Sequence, residues 1–177
     1  MKKLFLLIFV LFSAVSIQAE ANPTSSVKKL IGFIRYKKTD SALAMIDTKT
    51  YSKNLLKNNY DSLSADQQKE FEEAVKGYIK AKSFPLALNY FSKIDINYEK
   101  PVISGKEAKV PSSILYKGSE KIQFSWVLQE KNGQYLITDF LNDGKLASDT
   151  YRTTQVEPVF KNKGFDGLIE AIRKASK

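Results

Sequence analysis

The strongest constraint on the fold is a change of hydrophobic period at Ile94. Before it, apolar residues recur at helical spacing; after it, they alternate. Val27, Leu30, Ile31 and Ile34 fall at i, i+3, i+4 and i+7, one face of a helix that Phe33 widens. Thr24, Ser25 and Ser26 offer N-caps for it. A second short helix is predicted over 41–46, capped by Asp40 or Ser41, and Tyr51, Leu55, Leu56 and Tyr60 mark a third. Ser64 and Gln67 have the spacing of a capping box, in which hydroxyl and amide each satisfy a free backbone N–H. The helix it opens buries Phe71, Ala74, Val75, Tyr78 and Ile79, and a break is predicted at Lys82-Ser83-Phe84-Pro85. A last short helix then carries Leu86, Leu88, Tyr90 and Phe91.

Beyond Ile94 the period is two. Ile94, Ile96 and Tyr98 form one alternating run; Ala108, Val110, Ser112, Ile114 and Tyr116 a second; Ile122, Phe124, Trp126 and Leu128 a third. Pro111 lacks an N–H for a ladder, which predicts an edge position or a bulge there. Asn132-Gly133 tolerates positive φ and turns the chain into a partner strand over 135–141. The tail is helical again, from about 150 to beyond 160, with a kink expected at Pro158. Gly164 ends that helix, and a final one carries Leu168, Ile169 and Ile172. Helices, an antiparallel meander and helices again predict an α+β fold, a curved sheet covered by helices.

The N-terminus carries a separate message. Met1-Lys2-Lys3 precedes an apolar run over 4–15 and a small-residue zone ending at Ala19 and Ala21. This is the pattern of a cleavable export signal over residues 1–21, cut near Ala19 or Ala21. The run is too short for a spanning helix, which needs roughly 20 residues. No cysteine follows it to take a lipid anchor. The expected mature molecule is one soluble domain over 22–177, long enough to bury a core without disulfides. Histidine is also absent, which removes the usual general base and the commonest metal ligand. Taking away Lys2, Lys3 and Glu20 leaves 26 basic against 18 acidic residues, a net charge of +8. In an exported protein that excess favours anionic lipid surfaces over nucleic acid, and scattered lysines equally make a plain solvated surface.

No phosphate loop, nucleophile elbow or metal-spaced cluster is present, so neither catalytic nor metal-binding residues are expected. Asp139 sits among the apolar residues Ile137, Phe140 and Leu141. It is either a structural hydrogen-bonding group or the acid or base of a small-pocket enzyme. The domain is rich in aromatic residues, which fill a core or line an apolar pocket.

Two stretches resemble a known family. The first is Tyr60-Asp61-Ser62-Leu63-Ser64-Ala65-Asp66-Gln67-Gln68-Lys69-Glu70-Phe71. The second is Gly133-Gln134-Tyr135-Leu136-Ile137-Thr138-Asp139-Phe140, then Gly144, Tyr151-Arg152 and Gly164-Phe165-Asp166-Gly167-Leu168-Ile169. Together they resemble the MlaC family, also called the toluene-tolerance or auxiliary ABC-transport family. The resemblance implies an NTF2-like or cystatin-like fold with an apolar cavity. It also implies a periplasmic shuttle that carries a phospholipid between an outer-membrane lipoprotein complex and an inner-membrane ABC transporter complex, and so maintains outer-membrane lipid asymmetry. It implies no cofactor beyond the phospholipid cargo. Gly144 and Gly164 would serve turns, and Asp139 and Arg152 a polar contact. The segment between Tyr151 and Gly164 is one residue longer than the family's pattern. The residues expected to line the lipid site are Leu30, Phe33, Ile34, Phe71, Val75, Tyr78, Phe91, Ile114, Phe124, Trp126, Ile137 and Tyr151. The alternatives from the residues alone are an NTF2-like enzyme using Asp139, and an interaction module with a filled core.

Overall fold

The computed structural model describes residues 21–177; the expected export signal, apart from Ala21, lies outside the described residues. Helix α1 (Pro23–Arg35) starts not at the serines or threonine but at Asn22, whose side chain accepts from the Ser25 N–H at 3.2 Å. Pro23 follows at the first helical position, where its missing N–H would have had no partner anyway. Val27, Leu30, Ile31 and Ile34 are all buried, and each such side chain contributes about 1.5–3 kcal/mol by leaving water.

Helix α2 (Thr39–Leu43) is shorter than predicted and has no side-chain cap. Helix α3 (Thr48–Leu56) is capped by Asp47, and Tyr60 falls in a separate turn, α4 (Asn58–Asp61). The capping box of Ser64 and Gln67 is formed, with both reciprocal bonds in place, and opens α5 (Ala65–Tyr78).

The break predicted at Lys82–Pro85 is instead a π-turn, Ile79–Ser83, running straight into α6 (Phe84–Phe91). The Phe84 N–H reaches the Ile79 carbonyl, five residues back. A proline ring presses on the carbonyl four residues before it. Here the helix widens by one residue ahead of Pro85, and the chain keeps winding. The tail repeats the device. Helix α7 (Ala147–Tyr151) passes through a π-turn, Arg152–Val156, into α8 (Glu157–Ala175), with Pro158 again at the second helical position. A π-turn takes up one residue more than an α-turn, which suits the one-residue excess that the resemblance implies between Tyr151 and Gly164. Gly164, at φ 67 and ψ −167, does interrupt α8.

The sheet has six antiparallel strands: β1 (Ile96–Tyr98), β2 (Val102–Ser104), β3 (Glu107–Tyr116), β4 (Glu120–Lys131), β5 (Gln134–Asn142) and β6 (Lys145–Leu146). The order is β1-β3-β4-β5-β6, with β2 beside β3. Strand β3 is therefore not an edge, but its outer partner is split. Strand β1 pairs with 112–114 and β2 with 107–109, so Pro111 lies where the ladder is interrupted. Its carbonyl accepts from Glu99 on that side, and its missing N–H falls in the gap. The β4–β5 turn has positive φ at Asn132 and Gly133, as predicted. A bulge opposite Val127 and Leu128 makes Thr138 an extra residue, and its hydroxyl donates to the Val127 carbonyl at 3.2 Å. Helices α1, α3 and α7 pack on β5, α1 also on β3, and α6 on α1.

Candidate functional site

Alternation along β3 and β4, and along β5 with its phase shifted by the bulge at Thr138, sends Ile114, Ile122, Phe124, Trp126, Ile137 and Phe140 to one space beneath the helices. Helix α1 adds Leu30 and Ile34; α6 adds Phe84, Ala87, Tyr90 and Phe91. The space is not filled. It is a cavity of 470 Å³, within the range of small-molecule sites. One wall is aromatic. Trp126 meets Phe140 at 5.1 Å and Phe91 at 6.1 Å between ring centroids, and Phe124 stacks on Phe140 at 5.2 Å. Leu86 and Tyr90 remain half-exposed at the rim together with Asn142. Tyr116 packs against Tyr90, and the Lys117 ammonium lies 5.2 Å over the Tyr116 ring, a cation beside the opening.

A second apolar chamber of 160 Å³ adjoins the first, between α3, α5 and α8. Tyr51, Ile79, Ser83 and Tyr151 line both. Both π-turns border this partition: Ile79 and Ser83 belong to one, and Tyr151 immediately precedes the other. Burial pushes the Tyr51 hydroxyl well above the ordinary tyrosine range, with Asp139, Tyr151 and Tyr78 adding to the effect. Burial raises Tyr151 likewise.

Of the residues expected to form the site, Leu30, Ile34, Phe91, Ile114, Phe124, Trp126 and Ile137 line the larger chamber. Val75 and Tyr78 line the smaller one, and Tyr151 lines both. Phe33 and Phe71 line neither. Phe33 packs on the flank of the core, and Phe71 is fully buried in solid packing. A helical period places an apolar residue on an inward face, but not against empty space. Tyr51, Ile79, Phe84, Ile122 and Phe140 line the site and were not singled out. Strand alternation put Ile122 in phase with Phe124 and Trp126, whereas Phe140 comes onto the same face as Ile137 only through the bulge at Thr138.

Asp139 is buried at 4% exposure. Its carboxylate accepts from the Phe140 N–H at 2.8 Å, the Ser148 N–H at 3.2 Å and the Ser148 hydroxyl. These are the bonds of a group that pins the start of α7 to the sheet. The expected polar contact of Asp139 is therefore with Ser148. Arg152 instead pairs with Asp149 at 3.2 Å and Glu157 at 2.5 Å. Among the described residues there is no metal-ligating cluster, and no helix is long and apolar enough to cross a membrane.

The family model for the MlaC protein matches residues 31–174. The chain belongs to the MlaC family. Among solved structures, a phospholipid-binding protein from Ralstonia solanacearum, in complex with a phospholipid, is similar to it with a TM-score of 0.71 and 14% identity. The match covers 86% of this chain and 93% of the Ralstonia protein. At that identity the likeness shows the fold. No curated protein matches the chain. MlaC membership accounts for both quoted stretches, which fall within or overlap elements bordering the two chambers.

Proposed function

We propose that this MlaC-family protein is a phospholipid carrier of the periplasm, moving its cargo between an inner-membrane ABC transporter complex and an outer-membrane lipoprotein complex. The observation that carries the reading is the apolar cavity between sheet and helices, roofed by α1 and α6 and walled by Phe91, Phe124, Trp126 and Phe140. The phospholipid held by the Ralstonia protein of the same fold supports it.

The physical need for such a carrier is large. The chains of a phospholipid contain about 30 methylenes, and at ~0.8 kcal/mol each their exposure to water costs on the order of 20–25 kcal/mol. An aqueous gap between two membranes is crossed only if a protein shields that surface. The half-exposed rim at Leu86 and Tyr90 lets a headgroup stay in water. Lys117 beside Tyr116 places a positive charge within reach of a phosphate at that opening.

The test is native mass spectrometry with lipid extraction on protein recovered from its own periplasm. A stoichiometric co-purified phospholipid is expected. Recovery from the cytosolic fraction with the first 21 residues intact contradicts the location, and a lipid-free protein unable to take up phospholipid from vesicles contradicts the carrier.

A further inference from the structure

The positive charge of the domain is not spread evenly over it. Residues 22–39 and 74–94 carry nine of the 26 basic residues of the expected mature chain and none of its 18 acidic ones. The rest, 17 basic against 18 acidic, is close to neutral. The fold brings the two stretches together. Helix α1 comes from the first and α6 from the second, and they pack on each other as the roof of the larger chamber. Two contacts fix how they lie. The Arg35 guanidinium, at the end of α1, donates to the Phe91 carbonyl at 2.9 Å and the Ile94 carbonyl at 2.7 Å, at the end of α6. Further on, Asp40 pairs at 2.6 Å with Lys80, in the π-turn that precedes α6. Residues 35–40 therefore run alongside α6 from its end back to its start.

Of the nine cations, only Lys76 and Lys80 meet a carboxylate among the described residues, Glu73 and Asp40. Lys37, Lys38, Lys82 and Lys93 are exposed. Lys37 holds φ 55, so its charge stands where the backbone alone would favour glycine. Apolar groups stand among these charges. Tyr36 is 79% exposed, Leu86 53% and Tyr90 40%. Leu86 and Tyr90 are one turn apart on the open side of α6.

We propose that this face, the outer surface of α1, residues 35–40 and α6, docks on the surface of an anionic lipid bilayer. The inference rests on the carrier reading and goes beyond it, adding the bilayer itself to the two complexes as a surface the carrier meets. The charge gives the sign of the partner, and a second copy of this chain would set like charges against each other. The mixture of side chains chooses a bilayer over an acidic protein. A tyrosine ring is at home at the level of lipid headgroups. Lysine stems lie along apolar surface while their ammonium groups reach outward to phosphate. A plane of phosphates meets all these cations at once without matching the position of any, whereas an acidic protein would have to place a carboxylate against each. Leu86 and Tyr90 also belong to the rim of the larger chamber, so docking by this face turns the opening toward the bilayer.

The experiment is vesicle sedimentation of the full-length mature protein. Vesicles of equal parts phosphatidylglycerol and phosphatidylcholine are set against phosphatidylcholine alone. Wild type is expected to bind the anionic vesicles at least about tenfold more tightly, and to lose that preference as salt is raised. Lys37→Gly/Lys38→Gln/Lys82→Gln removes three cations from the face. Each is expected to cost about fivefold near an anionic surface, so the triple variant binds about a hundredfold more weakly. Lys109→Gln/Lys161→Gln/Lys163→Gln removes the same charge from β3 and α8, and it is expected to stay within about threefold of wild type. Tyr36→Ser is expected to weaken binding by about threefold or more, at high salt as at low. Every substituted residue is exposed, so all variants are expected to unfold at the wild-type temperature. Equal losses in the two triple variants would overturn the proposal, because net charge and not this face would then drive binding. Wild type that ignores the anionic vesicles would overturn it too, and would leave the face to an acidic protein. Phospholipid content is read on the same samples by native mass spectrometry. Wild type that docks through this face yet takes up no phospholipid removes the carrier reading and leaves the docking in place.

Discussion

Asp139 shows what one residue does when its environment, not its type, sets its role. In sequence, a carboxylate among apolar neighbours reads equally as a catalytic group or a structural one. In the fold its oxygens accept from two backbone N–H groups and the Ser148 hydroxyl. Asp139→Ala leaves buried donors without acceptors, and a loss of about 2–3 kcal/mol is expected in denaturant unfolding. Asp47 is the pH-sensitive counterpart. Burial pushes its carboxyl up, but hydrogen bonds from Lys131 and Thr50 and the Lys131 charge together hold it below the usual 3.8. A carboxylate depressed in the folded state stabilises the fold above its unfolded pKa, and that contribution is lost as pH falls through the folded value. Asparagine still caps a helix, so Asp47→Asn isolates the charge. The Tm gap between wild type and Asp47→Asn is expected to be full at neutral pH and to shrink below about pH 4. Neither set of partners was legible in the sequence, because Lys131 and Ser148 reach these carboxylates only through strand pairing and helix docking.

At the scale of elements, local chemistry was readable where it is self-contained. The capping box needs only Ser64 and Gln67, and it formed as predicted. Ser64→Ala is expected to cost about 1 kcal/mol, a fall of roughly 2–4 °C in Tm for a domain of this size. Gly164 holds φ 67 and ψ −167, a conformation almost confined to glycine. Gly164→Ala is expected to cost about 1–3 kcal/mol in the same measurement. The prolines were misread for a physical reason. Pro85 and Pro158 should break an α-helix, but a helix can widen by one residue instead, and the choice depends on what packs around it. Pro111 was half-legible: its missing N–H does meet a gap in the ladder, yet the gap comes from two short strands sharing one side of β3 rather than from an edge.

For the whole molecule, the consequence that matters is that sheet and helices enclose space instead of filling it. An occupied cavity stabilises by mass action. Stripping the lipid is therefore expected to lower Tm and to change the emission of Trp126, both reversed on reloading from phospholipid vesicles. The period of the apolar residues by itself determined the α+β class, the order of helices and strands, and which side of β3 and β4 faces inward, because these depend on spacing along the chain. It also carried the family's two stretches. Only the tertiary structure decided that Phe71 is packed solid while Phe124 borders a void, that one cavity is two, and that Tyr51 and Tyr151 stand between them. The physical reason is that burial is legible in spacing, whereas emptiness depends on how far apart the packed layers are held. That distance depends on how α1, α3 and α7 dock on the sheet and α6 on α1, contacts between segments far apart in the chain.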